Sequence, residues 1–230
     1  IDEIMKNQYF KETRNFSPRA FFIGGGGYSL PRAWANDYMS PELIVAEIDP
    51  EVTKIAKKRM WLNIDSSSMQ IFHRDARALL QSLPIEKTFD FIFGDAFHDI
   101  SIPPHLVTRE FHQQVLKRLS SKGVYTINVV DSGVKPLFLF SLIKTLNKDF
   151  SSVEVWIDQS QKNIPDRVTY IVFSSNKSSS VSNLKSLRGP NRYWIKWPAQ
   201  NLSHRILKAS PPILTDDFSP VDRLMSNSLQ

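Results

Sequence analysis

Cysteine is absent from this chain of 230 residues, which removes disulfides, thiolate zinc sites, iron–sulfur clusters and a cysteine nucleophile together. Long hydrophobic runs are missing as well. Stretches such as Pro136–Phe140 and Thr169–Phe173 fall far short of the roughly 18 residues a membrane span needs, and no signal-peptide pattern opens the sequence. The net charge is +6, yet no run of five or more basic residues accompanies it. The charge therefore reads as solvated helix faces, and nucleic acid is disfavoured as a partner. His105 and His112 lie near one predicted helix without further converging ligands, so no metal site is expected and both are read as helix surface. No internal repeat is present. Hydrophobic residues at 41% against 23% charged are enough to bury a core, which excludes a wholly disordered chain.

Glycine is scarce, 8 in all, and half of it stands in one run, Gly24–Gly27. That run follows the apolar stretch Ala20–Ile23 and precedes a helical segment, Pro31–Tyr38, giving strand, glycine turn, helix. Leu43–Ile48 reads as a second strand, and Asp49-Pro50-Glu51 starts a helix to about Leu62, with Asp as N-cap and Pro at the first helical position. Met69–His73 is a third strand, after which Asp75 caps Ala76–Ser82. Phe89–Phe93 is a fourth strand ending in Gly94-Asp95. A helix over Val107–Leu119, a strand over Gly123–Val130 and a helix over Pro136–Lys148 follow. Two strands, Val153–Ile157 and Arg167–Phe173, close the series with only a polar loop between them.

Strands that are apolar throughout require a sheet covered on both faces. The expected fold is α/β, doubly wound and mostly parallel, with seven strands and one antiparallel strand at the sheet's end. The transferase unit is expected over residues 1–175. Residues 176–230 are expected as a serine-rich linker and a C-terminal tail that packs back, since Trp194, Trp197 and the proline-rich stretch to Pro220 suit neither free solvent nor one long helix.

The candidate site residues all follow strands. A glycine turn lets the backbone approach a ligand, and the helix behind it supplies free N–H groups. The spacing departs from G-x-G-x-x-G because position 29 is serine, which disfavours a nicotinamide enzyme. Glu47 stands 23 residues after Gly24, where doubly wound nucleotide-binding folds place an acid on ribose hydroxyls. Asp75 could accept from an adenine amino group or simply cap its helix. Asp95 ends the fourth strand beside the switch point of the sheet, where open α/β sheets transform ligands. His98 and Asp99 share the following loop and are candidates for holding a cationic or protic substrate.

Gly24–Gly27, Val45-Ala46-Glu47-Ile48-Asp49-Pro50, Arg74-Asp75-Ala76, Phe89–Phe97 and Phe111 together resemble the spermidine synthases and their relatives, over roughly Phe21–Val130. The Asp95–His105 stretch with Thr108–Phe111, and the ending Thr215–Asp222, are similar to a bacterial branch in which such a domain is fused to membrane segments. The resemblance implies the fold of class I S-adenosylmethionine-dependent methyltransferases. It implies aminopropyl transfer from decarboxylated S-adenosylmethionine to a polyamine such as putrescine.

Under it, Gly24, Gly25, Gly26 and Gly27 hold the methionine-derived part and Glu47 with Ile48 the ribose side. Asp75 and Ala76 hold the adenine, Asp95 is catalytic, and His98 and Asp99 bind substrate. Gly27 stands where the family usually carries an Asp, and His98 where it carries a second acid. A methyltransferase acting from S-adenosylmethionine and a non-catalytic nucleoside-binding domain therefore stay open as alternatives. The resemblance also implies a cytoplasmic setting, at a membrane face if a longer parent chain supplies a tether, and leaves room for a homodimer.

Overall fold

The computed structural model describes residues 17–63, 69–96, 102–161, 167–186 and 191–226. Strands β1 (Arg19–Ile23), β2 (Glu42–Ala46), β3 (Met69–Phe72), β4 (Phe89–Gly94), β5 (Leu119–Ser132), β6 (Ser152–Asp158), β7 (Arg167–Ser175), β8 (Asn183–Lys185) and β9 (Tyr193–Lys196) form one sheet. Its order is β3-β2-β1-β4-β5-β7-β6-β9-β8. The strands from β3 through β5 pair in parallel, and β7 runs antiparallel to both β5 and β6. Chain order reverses between β1 and β4, which makes their carboxyl ends the crevice of the sheet.

The sheet is α/β and doubly wound, as expected, with two corrections. It holds nine strands rather than seven, because β9 of the expected tail adds antiparallel to β6 and β8 adds antiparallel to β9. The antiparallel β7 is inserted between β5 and β6 instead of closing an edge: a short β6–β7 connection lets β7 return beside β6 and fill the gap next to β5.

Helices α1 (Ser29–Asp37) and α2 (Pro50–Arg59) cover one face. Helices α3 (Ala76–Ser82), α4 (Arg109–Arg118) and α5 (Leu137–Leu146) cover the other, with α6 (Ala199–Ala209) and α7 (Val221–Met225) from the tail. Alternate residues along each strand enter opposite cores. Phe21, Ile23, Ile44 and Ile92 join one cluster, while Ala20, Phe22, Val45, Phe91 and Phe93 join the other, as period-2 geometry requires. In the second cluster Trp34 lies edge-on to Phe91 and Phe93 at 4.9 and 5.2 Å, a preferred aromatic geometry. Leu202, Leu214, Val221, Leu224 and Met225 are buried in the first cluster. The tail thus contributes to the same core as the strands. No helix among the described residues is long and apolar enough to cross a membrane.

Candidate functional site

Parallel strands in right-handed alternation deliver the residues after β1, β2, β3 and β4 to one edge. Backbone bonds then tie each to its neighbour: Gly24 donates to Ala46 at 2.9 Å, Glu47 to Phe72 at 3.0 Å, and Asp95 to Ile23 at 2.9 Å. Gly24–Gly27 and Asp95 line a common cleft of about 310 Å³, together with Phe22, Tyr28, Phe93, Thr126 and Asn128. Asp95 is the one carboxylate among the described residues lining it.

The glycine turn is as tight as its composition suggests. A Cβ at Gly24, which adopts φ +94°, would stand 2.7 Å from the Asp95 carbonyl oxygen, and one at Gly25 would stand 2.4 Å from the Tyr28 ring. Only glycine lets the turn close against both neighbours. Tyr28 is itself fully buried in left-handed backbone at the N-cap of α1. Its hydroxyl meets Thr53 Oγ1 at 2.6 Å, and that oxygen also meets His73 Nε2 at 3.0 Å. This brace under the turn has no signal in the sequence, because it joins three elements distant along the chain.

Glu47, expected to face ribose, is 7% exposed and already serves the turn. Oε2 accepts from the backbone N–H groups of Gly25 at 2.8 Å and Gly26 at 3.3 Å, and Oε1 from that of Asp49 at 3.0 Å. Folded onto the turn, the carboxylate satisfies amides that would otherwise be short of partners. Ile48 projects into solvent at 62% exposure. Asp49 caps α2 by accepting from Glu51 N–H.

Asp75 takes the helix-capping role that its position allowed. Oδ1 accepts from Ala78 N–H at 2.9 Å, capping α3, while Oδ2 faces outward and meets His105 Nε2 at 2.7 Å. Burial alone would push its pKa up, but the Ala78 and His105 hydrogen bonds outweigh that and leave it below the usual carboxylate range. Ala76 is buried beneath. His98 and Asp99 lie outside the described residues.

His105 is at the surface as expected and His112 is not. His105 sits in a 3-10 turn, Pro104–Leu106, and is engaged by Asp75. His112 is completely buried on α4, with neither ring nitrogen bonded among the described residues. It shares a helix face with Val115 at i+3, the periodicity that marks an inward position.

Asp95 is solvent-accessible at the cleft mouth. Surrounding protein raises its pKa, and the Asn128 side-chain amide, donating to Oδ1 at 2.9 Å, opposes the rise. The buried Oδ1 of Asn128 and Oγ1 of Thr126 have no hydrogen-bond partner among the described residues, and both residues line the cleft. Unused acceptors of this kind are costly to bury without a ligand or water. A glycine cradle, an outward carboxylate at Asp75 and open polar atoms beside Asp95 fit a polar nucleoside with a group to transfer.

A family model described as the spermine/spermidine synthase domain matches residues 19–186. The polyamine aminopropyltransferase of Vibrio vulnificus is 27% identical over 208 residues, covering 90% of this chain and 69% of that protein. A probable spermidine synthase from Corynebacterium glutamicum superposes with a TM-score of 0.70 at 19% identity, over 96% of this chain and 78% of that one. Human methyltransferase-like protein 13, solved in complex with SAH, gives 0.57 at 19% identity over 91% and 89%. The shared sheet is thus that of the synthases and of class I methyltransferases. With most of its length matched by the domain, from the start of β1 to the end of β8, the chain belongs to the spermine/spermidine synthase family.

Proposed function

We propose that the chain transfers an aminopropyl group from decarboxylated S-adenosylmethionine to a polyamine such as putrescine, with Asp95 as the catalytic carboxylate. The observation that carries this reading is the fixed position of Asp95. Its backbone is bonded to β1 and its side chain to Asn128 on β5, beside the glycine turn in the cleft. The donor supplies a sulfonium whose adjacent carbon is open to displacement.

The chain's own work is to place an unprotonated amine in line with that carbon. Amines of high pKa are mostly protonated at neutral pH. A carboxylate on a rigid strand end accepts the proton and keeps the lone pair directed into the cleft. Burial raises the pKa of Asp95 and with it the affinity of the carboxylate for a proton, while the Asn128 bond opposes the rise. Gly24–Gly27 cradle the chain of the donor, Glu47 and Ile48 take the ribose side, and Asp75 with Ala76 take the base. Residues 1–175 form the transferring unit, and 176–230 brace it.

One observation favours methyl transfer from S-adenosylmethionine as a second reading. Gly27 leaves the turn without an acid, and Asp95 is the sole carboxylate among the described cleft residues, so little there selects a second cationic amine.

The Asp95→Asn variant tests the assignment. Asparagine keeps the shape and removes the base, so turnover should fall roughly 10²–10⁴-fold while nucleoside affinity stays within a few-fold of the parent. Unchanged turnover would remove Asp95 from the chemistry.

A further inference from the structure

Within the bracing tail, the segment Thr215–Pro220 carries Asp216, whose carboxylate is bonded at both oxygens. Oδ1 and Oδ2 accept from the two terminal nitrogens of Arg77 at 2.7 and 2.6 Å, and Oδ1 also accepts from Thr108 Oγ1 at 2.7 Å. Asp216 N–H donates to Glu110 at 3.0 Å. The Arg77 guanidinium and the Thr108 hydroxyl hold the carboxyl down to about 2. The segment itself is pinned. Leu214 is buried, accepts from Arg109 N–H and donates to Thr145 Oγ1, both at 2.9 Å, and Thr215 and Phe218 exchange backbone bonds.

Arg77 stands two residues beyond Asp75 on the first turn of α3 and also donates to the His105 carbonyl at 3.1 Å. His105 in turn reaches Asp75 Oδ2. The contacts close a ring from Asp75 along the chain to Arg77, from Arg77 to the His105 carbonyl and from the His105 ring back to Asp75, and Asp216, itself bonded to Thr108, grips Arg77 from outside it. We infer that Asp216 is a positioning residue for the nucleoside site: by holding Arg77 it keeps that guanidinium on the His105 carbonyl and so fixes His105 against Asp75.

The physical reason lies in competition for one cation. Arg77 has Asp75, Asp216 and Glu110 within electrostatic range, and a bidentate fork is the strongest of the pairings open to it. Without the Asp216 charge, Arg77 is drawn toward Glu110, which acts on it more strongly than Asp75 does, and its bond to the His105 carbonyl is lost, freeing the imidazole that orients Asp75 Oδ2. Asp216 does not touch the donor; it acts through Arg77.

The inference rests on the reading of Asp75 as the base contact, and a double-mutant cycle separates the two. The probe is 5′-methylthioadenosine, titrated calorimetrically into the parent, Asp75→Ala, Asp216→Asn and the double variant, with Asp217→Asn as the neighbouring control. Asp216→Asn should weaken binding roughly 3- to 30-fold and raise the donor KM while leaving kcat at saturating donor near the parent value. The loss should shrink toward nothing in the Asp75→Ala background, and Asp217→Asn should bind as the parent does. If Asp216→Asn fails to fold, Arg77→Lys, which keeps the charge and loses the fork, should show the same dependence on Asp75. Parent-like binding by Asp216→Asn, or an equal loss with and without Asp75, overturns the inference alone. Parent-like binding by Asp75→Ala overturns the base-contact reading and the inference with it.

Discussion

His112 gives the clearest consequence of a single buried side chain. Its ring packs against Tyr125 at 5.7 Å, and burial drives its pKa down to about 3, against a smaller opposing pull from Asp149. In the unfolded chain the imidazole titrates near 6.5. The unfolded state therefore takes up the proton first as the solution is acidified. The stability this neutral histidine permits is complete above that value and is lost as pH falls toward 3. Between pH 7 and pH 5 the loss is about 2 kcal/mol. Denaturant unfolding of the parent and of His112→Phe at the two pH values should show a pH-dependent difference of that size; identical pH dependence would mean that the ring is hydrated or bonded. The residue scale was also the least legible one. Asp75 and Glu47 stand where the strand ends put them, but their partners, His105 and the turn amides, are chosen by folds in the chain that no local pattern records.

At the scale of elements, the strand–turn–helix unit at Gly24–Gly27 sets the edge on which everything else is arranged. Its glycines are unequal. Gly24 combines left-handed φ with backbone of Asp95 in the place of a Cβ, whereas a Cβ at Gly27 meets Met60 Sδ at an ordinary 3.4 Å. Gly24→Ala should cost about 2 kcal/mol or more of stability, from the strained φ and the displaced Asp95 backbone, and should weaken nucleoside binding. Gly27→Ala should be tolerated within about 0.5 kcal/mol. Urea unfolding with a nucleoside titration checks both, and equal effects at the two positions would mean the turn is not closed as described. Elements of this kind were readable because apolar runs, N-capping Asp49 and Asp75 and the glycine punctuation all carry local signals. Boundaries moved where strands outside the element decided them: β5 starts at Leu119, which pairs with Phe89 of β4, and runs on to Ser132 because β7 pairs with it from Val124 to that point.

For the whole molecule, alternation of strands and helices was sufficient to expect a doubly wound sheet and a common edge for the glycine turn, Glu47, Asp75 and Asp95. It could not count the strands. β8 and β9 are 3 and 4 residues long, sit in serine-rich and aromatic surroundings, and become strands only because β6 offers an edge to β9 and β9 offers one to β8. The tail that carries β9 goes on to bury Leu214 and to present Asp216, so the last part of the chain supports a site built by the first. This edge, with Asp95 on it, is the proposed seat of aminopropyl transfer. The most direct measurement incubates the protein with putrescine and either decarboxylated S-adenosylmethionine or S-adenosylmethionine, and follows both amine and nucleoside products by mass spectrometry. Spermidine and methylthioadenosine are expected from the decarboxylated donor, dependent on Asp95, and no methylated amine from the other. Methylated amine and S-adenosylhomocysteine from S-adenosylmethionine, with no aminopropyl product, would contradict that assignment.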